Sequence, residues 1–197
     1  KMILDIAAGH ISMRHGFRGP NFAVVSACAS STNGIIEAFN TIRLGKADII
    51  LTGGSESVIS EAGVGGFNAM KALSERNDEP KTASRPYDKD RDGFVMGEGA
   101  GVLILESLSS AQKRGAKIYA EMLGHGMTSD AYHITAPSES GEGAERAMRA
   151  ALANARVGPP PGAAGSVRRR HGRAGRRVRR AAEAVRPRSP HVKNAQF

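Results

Sequence analysis

The positive charge of this chain is confined to its C-terminal end, and that division decides which part can fold. The 197 residues carry 28 Lys+Arg and 19 Asp+Glu, a formal net charge of +9. Residues 166–197 hold 11 of those bases and a single acid, Glu183, whereas residues 1–165 hold 17 bases and 18 acids. The basic balance therefore belongs to a tail, and the body is close to neutral. Of the 33 residues from 158 to 190, 26 are Arg, Pro, Gly or Ala. So few apolar side chains cannot offset the entropy of ordering that stretch, so 158–197 is predicted to lack a core. The same composition is what an out-of-frame reading of a GC-rich gene would produce. Arginines at this density also bind phosphate without sequence choice. A binder of nucleic acid through the basic tail is therefore the reading from another functional class.

Residues 1–157 read as an α/β protein. Continuous apolar runs at Ala23-Val24-Val25, Ile49-Ile50-Leu51 and Val102-Leu103-Ile104-Leu105 suit strands buried on both faces by helices. Helical periodicity predicts helices near 30–45, 107–115 and 141–156. In the first, Ile35, Ile36, Phe39, Ile42 and Arg43 follow the i, i+3, i+4, i+7 pattern, and Gly45 stands where a helix-ending glycine belongs. In the last, Ala147, Met148, Ala151, Leu152 and Ala155 form an apolar face. The alternation predicts a largely parallel or mixed sheet. Gly63-Val64-Gly65-Gly66-Phe67 and Arg85 to Gly93 read as glycine-rich and polar loops, the kind of segment that carries function on a rigid scaffold. One cysteine excludes an internal disulfide and a cysteine-rich zinc site. No apolar run is long enough for a membrane span, and the first residues lack the pattern of a secretory signal. A cytoplasmic protein is the expectation.

Cys28 is the candidate nucleophile. It follows Phe22-Ala23-Val24-Val25 and precedes an amphipathic helix, so it is expected at a strand-to-helix junction. The positive end of the helix dipole there favours an anionic sulfur, and small neighbours leave it approachable. A lone cysteine is also commonly a small buried hydrophobe. The histidines at 10, 15, 125, 133, 171 and 191 show no metal-ligand spacing. Gly53-Gly54-Ser55-Glu56-Ser57 lacks the closing glycine of a nucleophile elbow. Gly97-Glu98-Gly99-Ala100-Gly101 precedes an apolar run rather than a helix, and reads as a strand with close backbone approach. Asp88, Asp90 and Asp92 alternate as in a calcium loop, without its closing glutamate.

Taken together, several blocks resemble the β-ketoacyl-acyl-carrier-protein synthases. They are Val25-Ser26-Ala27-Cys28-Ala29-Ser30-Ser31, Thr52-Gly53-Gly54-Ser55-Glu56, Gly63 to Phe67, Ala69 to Leu73, Ser84 to Phe94 and Gly97 to Gly101. Ser129-Asp130-Ala131-Tyr132-His133-Ile134-Thr135-Ala136-Pro137 is similar to the type II enzyme of fatty-acid elongation in particular. The resemblance implies a thiolase-like layered α-β-α-β-α fold, of which this chain would hold about half. Residues 1–115 would be the later part of the N-terminal half, and 116–157 the start of the C-terminal half.

It also implies an acyltransferase that condenses malonyl thioesters, by decarboxylation, with an acyl group held on Cys28. Phe67 would line the acyl pocket, Lys71 would meet the acyl carrier protein, and Asp130 and Thr135 would stand near the pantetheine entrance. No cofactor or metal is implied, because 4′-phosphopantetheine arrives on the carrier protein. A homodimer is implied for the full-length enzyme, and a polyketide ketosynthase is the alternative within the fold. The family's His-Gly-Thr and Met-Thr-Gly-His motifs, with their lysine, are not intact here. His171-Gly172 falls near the place of the first, with Arg173 where its threonine would be.

Overall fold

The structure, a computed structural model, describes residues 3–134 and 136–156. The predicted tail at 158–197 and the candidates Thr135 and His171 lie outside the described residues. The chain divides into two compact units, the first ending at Ala116.

In the first unit the order is α1 (Ile6–His15), α2 (Ser30–Arg43), β1 (Ile49–Glu56), α3 (Glu61–Ala69), α4 (Pro80–Ala83), β2 (Gly99–Glu106) and α5 (Leu108–Lys113). Helix α2 ends as its sequence predicts. Gly45 takes a left-handed φ of 67°. Its N–H donates to the Ile42 carbonyl at 2.9 Å, and the Lys46 N–H reaches the Thr41 carbonyl at 3.1 Å. Two of the carbonyls of the last turn are thereby satisfied. Gly115 closes α5 in the same way, with Ala116 donating to the Ala111 carbonyl at 2.9 Å.

Strands β1 and β2 pair antiparallel, with Gly53 opposite Val102 and Gly54 opposite Gly101. Of the largely parallel or mixed sheet expected from the alternation, the described residues show this antiparallel pair and an isolated parallel bridge between Leu73 and Phe94. Helix α2 packs on this sheet. A Cβ placed on Gly34 would stand 3.5 Å from Thr52 Oγ1, ordinary van der Waals contact between helix and strand. Ile36 and Ala38 are buried there, and Ala83 and Ala111 complete the buried apolar side chains among the described residues.

Three expectations need correction. Ala23-Val24-Val25 carries no strand, because no partner strand lies beside it among the described residues. Strand β2 is not covered on both faces: the consecutive residues Val102, Leu103 and Ile104 are all more than half exposed. Successive strand residues point to opposite sides, so among the described residues neither face of β2 is closed over at that point. Gly63 to Phe67 is not a loop but the middle of α3. Ser60 caps that helix, its hydroxyl accepting the Gly63 N–H at 3.2 Å, and Glu61 complements the dipole in the first turn.

The second unit holds α6 (Glu142–Ala155) and an irregular stretch from Lys117 to Ile134. A Cβ on Gly126 would meet the Ala147 carbonyl oxygen at 2.0 Å, and one on Gly124 the Ala155 nitrogen at 2.5 Å. Glycine at both positions lets this backbone run directly along the predicted alanine face of α6. Ala147, Ala151, Leu152 and Ala155 are half-buried there, while Met148 is exposed. Among the described residues no helix is long and apolar enough to cross a membrane, and no group of His, Cys, Asp and Glu could hold a metal ion.

Candidate active site

Cys28 stands in a single tight turn, Ala27–Ala29, that runs directly into α2. The residue before it, Ala27, has φ 49°, a left-handed conformation that residues with a side chain rarely adopt. Such strain persists only where neighbours hold it. Here three polar side chains do so. The Ser26 N–H donates to Ser30 Oγ at 2.8 Å, Ser30 Oγ–H donates to the Ala27 carbonyl at 2.7 Å, and Asn33 Nδ2 donates to Ser26 Oγ at 2.8 Å. The Ala29 N–H closes the turn on the Ser26 carbonyl at 3.1 Å. The result is a sharp bend from an irregular segment into a helix, with the thiol of Cys28 exposed at the turn. The Ala29 and Ser30 amides that follow are already bonded, to the Ser26 and Ala27 carbonyls. A sulfur so placed is open to an electrophile from solvent.

The strand beneath fixes this bend in place. A Cβ on Gly54 would lie 1.8 Å from Ser31 Oγ and 2.9 Å from Ser31 Cβ, so β1 touches the first turn of α2.

Phe67 lies on α3, half-buried, and its ring meets that of Phe94 edge-on at 5.2 Å. Lys71 is exposed just past the end of α3. Its N–H donates to the Asn68 carbonyl at 2.9 Å and the Ala72 N–H to the Phe67 carbonyl at 3.1 Å. This is the glycine position of a helix C-terminus, yet a lysine occupies it with φ 53°. The segment that follows is pinned by Asp92, a residue whose role is not visible in the sequence. Its carboxylate accepts Ser74 Oγ–H at 2.8 Å, the Glu75 N–H at 3.0 Å and Arg76 Nε at 3.3 Å. The Ser74 hydroxyl, then the Glu75 amide and the Arg76 charge, hold the Asp92 carboxyl below its ordinary range. Backbone bonds from Phe94 to Ala72 and from Ser74 to Phe94, both 3.0 Å, complete the junction. Lys71 and Phe67 are thus presented from one braced corner.

In the second unit Asp130 is half-buried against α6. Its Oδ2 accepts the Ser138 N–H at 3.0 Å, and a Cβ on Gly143 would meet its Cβ at 2.8 Å. Arg146 donates to the Ser129 carbonyl at 2.7 Å, a contact that sequence reasoning did not anticipate.

The structure thus presents an exposed thiol on a strained turn ahead of a helix, above a glycine-bearing strand. The comparisons identify the family. The β-ketoacyl synthase N-terminal domain matches residues 1–111, and the C-terminal domain of the same family matches 119–161. The chain belongs to the β-ketoacyl synthase family.

Among its relatives, the 3-oxoacyl-[acyl-carrier-protein] synthase 2 of Rhizobium meliloti is 56% identical over 156 residues, 79% of this chain and 37% of that protein. The synthase 2 of Staphylococcus aureus is 54% identical over 158 residues, 80% of this chain and 39% of that protein. The chain therefore spans well under half the length of these relatives. Among solved structures, a ketosynthase bound to its type II polyketide acyl-carrier protein and a hexaketide superposes with a TM-score of 0.75 at 38% identity, covering 78% of this chain and 38% of that one. A β-ketoacyl synthase from Burkholderia phymatum STM815 gives 0.67 at 34% identity, covering 79% and 44%. These likenesses establish the thiolase-like ketosynthase fold for the described part of the chain.

Proposed function

We propose that this chain carries the acyl-accepting part of a 3-oxoacyl-[acyl-carrier-protein] synthase of fatty-acid elongation. The observation that carries the reading is the exposed thiol of Cys28 on its braced turn, in a chain 54–56% identical to synthases of that name. The acyl carbonyl of a carrier-borne thioester is attacked by Cys28 Sγ. A new carbon–sulfur bond forms, and the pantetheine sulfur leaves and takes a proton. The thioester so formed stays reactive toward carbon nucleophiles. Loss of carbon dioxide from malonyl thioester then supplies a carbanion, which attacks that carbonyl and releases the Cys28 thiolate with a 3-oxoacyl product two carbons longer.

The second step draws on histidine and lysine motifs that the sequence does not carry intact, so the step assigned to these residues is acyl transfer. Pantetheine comes and goes with the carrier protein, and no resident cofactor is invoked. Identity to the synthases of fatty-acid elongation exceeds the 38% found with the ketosynthase of polyketide assembly, which favours the fatty-acid pathway. The cytoplasm is the proposed compartment, and a homodimer the proposed state of the whole enzyme. The test is to supply acyl carrier protein loaded with an isotopically tagged acyl group and map the tag by peptide mass. Transfer to the Cys28 peptide supports the reading. An unlabelled Cys28 that iodoacetamide still alkylates would overturn it.

In this reading Phe67 borders the acyl chain, Lys71 meets the acidic carrier protein, and Asp130 and Thr135 flank the incoming pantetheine. The conformation of Lys71 supports its part. A left-handed lysine costs about 1 kcal/mol where glycine would cost nothing, and such strain tends to be kept where the side chain is used. Lys71→Gly is therefore expected to raise the melting temperature while weakening carrier-protein binding about fivefold, the equivalent of roughly 1 kcal/mol. Thermal melts and a binding titration on the same sample read both signs. A variant that is more stable and binds equally well removes Lys71 from the interface.

A further inference from the structure

The stretch from Thr128 to Ile134 has no regular structure, yet its root is tied to the first turns of α6. Thr128 Oγ1–H donates to the Gly143 carbonyl at 2.7 Å. One residue on, the Ser129 carbonyl accepts Arg146 Nη2 at 2.7 Å. The same guanidinium is gripped by Glu142 one turn earlier: Nε donates to Oε1, and Nη2 to Oε2 at 3.2 Å. Asp130 then closes the loop on itself through the Ser138 amide, and the Ala136 N–H donates to His133 Nδ1 at 3.1 Å. Because Gly143 has no Cβ, Asp130 sits directly on the helix, within reach of this anchor.

We propose that Arg146 is a positioning residue that fixes the root of the Asp130 loop on α6, by bridging the Ser129 carbonyl to the Glu142 carboxylate. The proposal rests on the reading above only in assigning that loop to the pantetheine entrance; the anchoring itself does not need it. Helix α6 supplies its own control. Glu145 and Arg149 form a second pair at the same i, i+4 spacing, with Arg149 Nε 2.8 Å from Glu145 Oε1. Pairs of this kind support the helix that carries them. The Arg146 pair differs in its additional bond to the loop.

The experiment is residue-resolved amide hydrogen exchange on the full chain, read at Ala136 and Ser138, whose N–H groups the loop itself binds. In Arg146→Ala both amides are expected to exchange about three- to fivefold faster, the scale of one exposed charge-assisted contact. Arg146→Lys keeps a cationic donor and recovers part of the protection. Glu142→Gln, which loosens the grip on the guanidinium, falls between. Arg149→Ala leaves both amides at the wild-type rate although it also loses a helix pair. Unchanged exchange in Arg146→Ala overturns the proposal. So does an equal acceleration in Arg149→Ala, since helix stability alone would then govern the loop. If Arg146→Ala loses protection along all of α6, the lysine and glutamine variants decide the matter by the same criterion. A separate arm adds 4′-phosphopantetheine to the wild-type chain. Slower exchange supports the pantetheine assignment, and no effect counts against that assignment while leaving Arg146 to be judged on the variants.

Discussion

Replacing Cys28 by alanine is expected to abolish acyl uptake from the carrier protein, and serine in its place to leave about a thousandth of the rate or less. The alanine result follows from chemistry: no other thiol exists in the chain to form the thioester. The serine result is more informative. A hydroxyl ionises far less readily than a thiol, and the described turn offers it no general base. The hydrogen bonds around position 28 run between Ser26, Ala27, Ser30 and Asn33 and brace backbone rather than accept a proton from the nucleophile. Helix amides can stabilise an anion once formed, but they do not remove a proton. Both variants should melt within about 0.5 kcal/mol of the wild type, because the side chain is exposed and packs against little. The measurement is the acyl mass shift over time beside a thermal melt. Acylation of the alanine variant at the wild-type rate would move the acceptor elsewhere.

Loosening the brace should act differently from removing the sulfur. Asn33 and Ser30 hold Ala27 in a conformation it would not choose, so the geometry of the apex depends on side chains a turn into α2. This part of the site was only half legible. An apolar run followed by small residues and an amphipathic helix places Cys28 at a strand-to-helix junction; the structure bears out the helix but shows no strand before it among the described residues. Nothing in an alanine announces a left-handed φ, whereas a glycine at position 27 would have. Asp92 was similarly hidden: in a run of alternating charges each carboxylate looks alike, and only folding selects the one that collects Ser74, Glu75 and Arg76.

The helices divide along a comparable line. Helices α2, α5 and α6 were visible because their apolar spacing and, for α2, a C-terminal glycine agree. Helix α3 was not, since glycines at 63, 65 and 66 disguise it as a loop. Gly63 is there for a packing reason: a Cβ would lie 2.1 Å from the Val58 carbonyl oxygen. The Ser60 cap was the available signal. Ala23 to Val25 illustrates the opposite failure, in which strand-like composition meets no partner to pair with.

Glycine placement in the sheet leads to the second large effect. Gly53→Ala is expected to destabilise the first unit by on the order of 3 kcal/mol or more, and Gly101→Ala to change it by less than about 0.5 kcal/mol. The sequence draws the eye to the run Gly97-Glu98-Gly99-Ala100-Gly101 as the place of close approach. The structure transfers the requirement to the opposite strand. A Cβ on Gly101 would meet nothing within 4 Å, and the same holds for Gly97 and Gly99. A Cβ on Gly53 would stand 2.1 Å from the Gly101 carbonyl oxygen and 2.9 Å from Val102 Cα, and these are backbone atoms that cannot swing aside. The φ of 156° at Gly53 adds a conformational cost for any L side chain. The clash can be relieved only by separating β1 from β2, which also shifts the strand under Ser31 and the turn that bears Cys28. Urea melts of the two variants test the claim directly, and acylation of Cys28 at subdenaturing urea shows whether the turn moves with the strand. Equal stabilities for Gly53→Ala and Gly101→Ala would mean that β1 and β2 do not pair in this register.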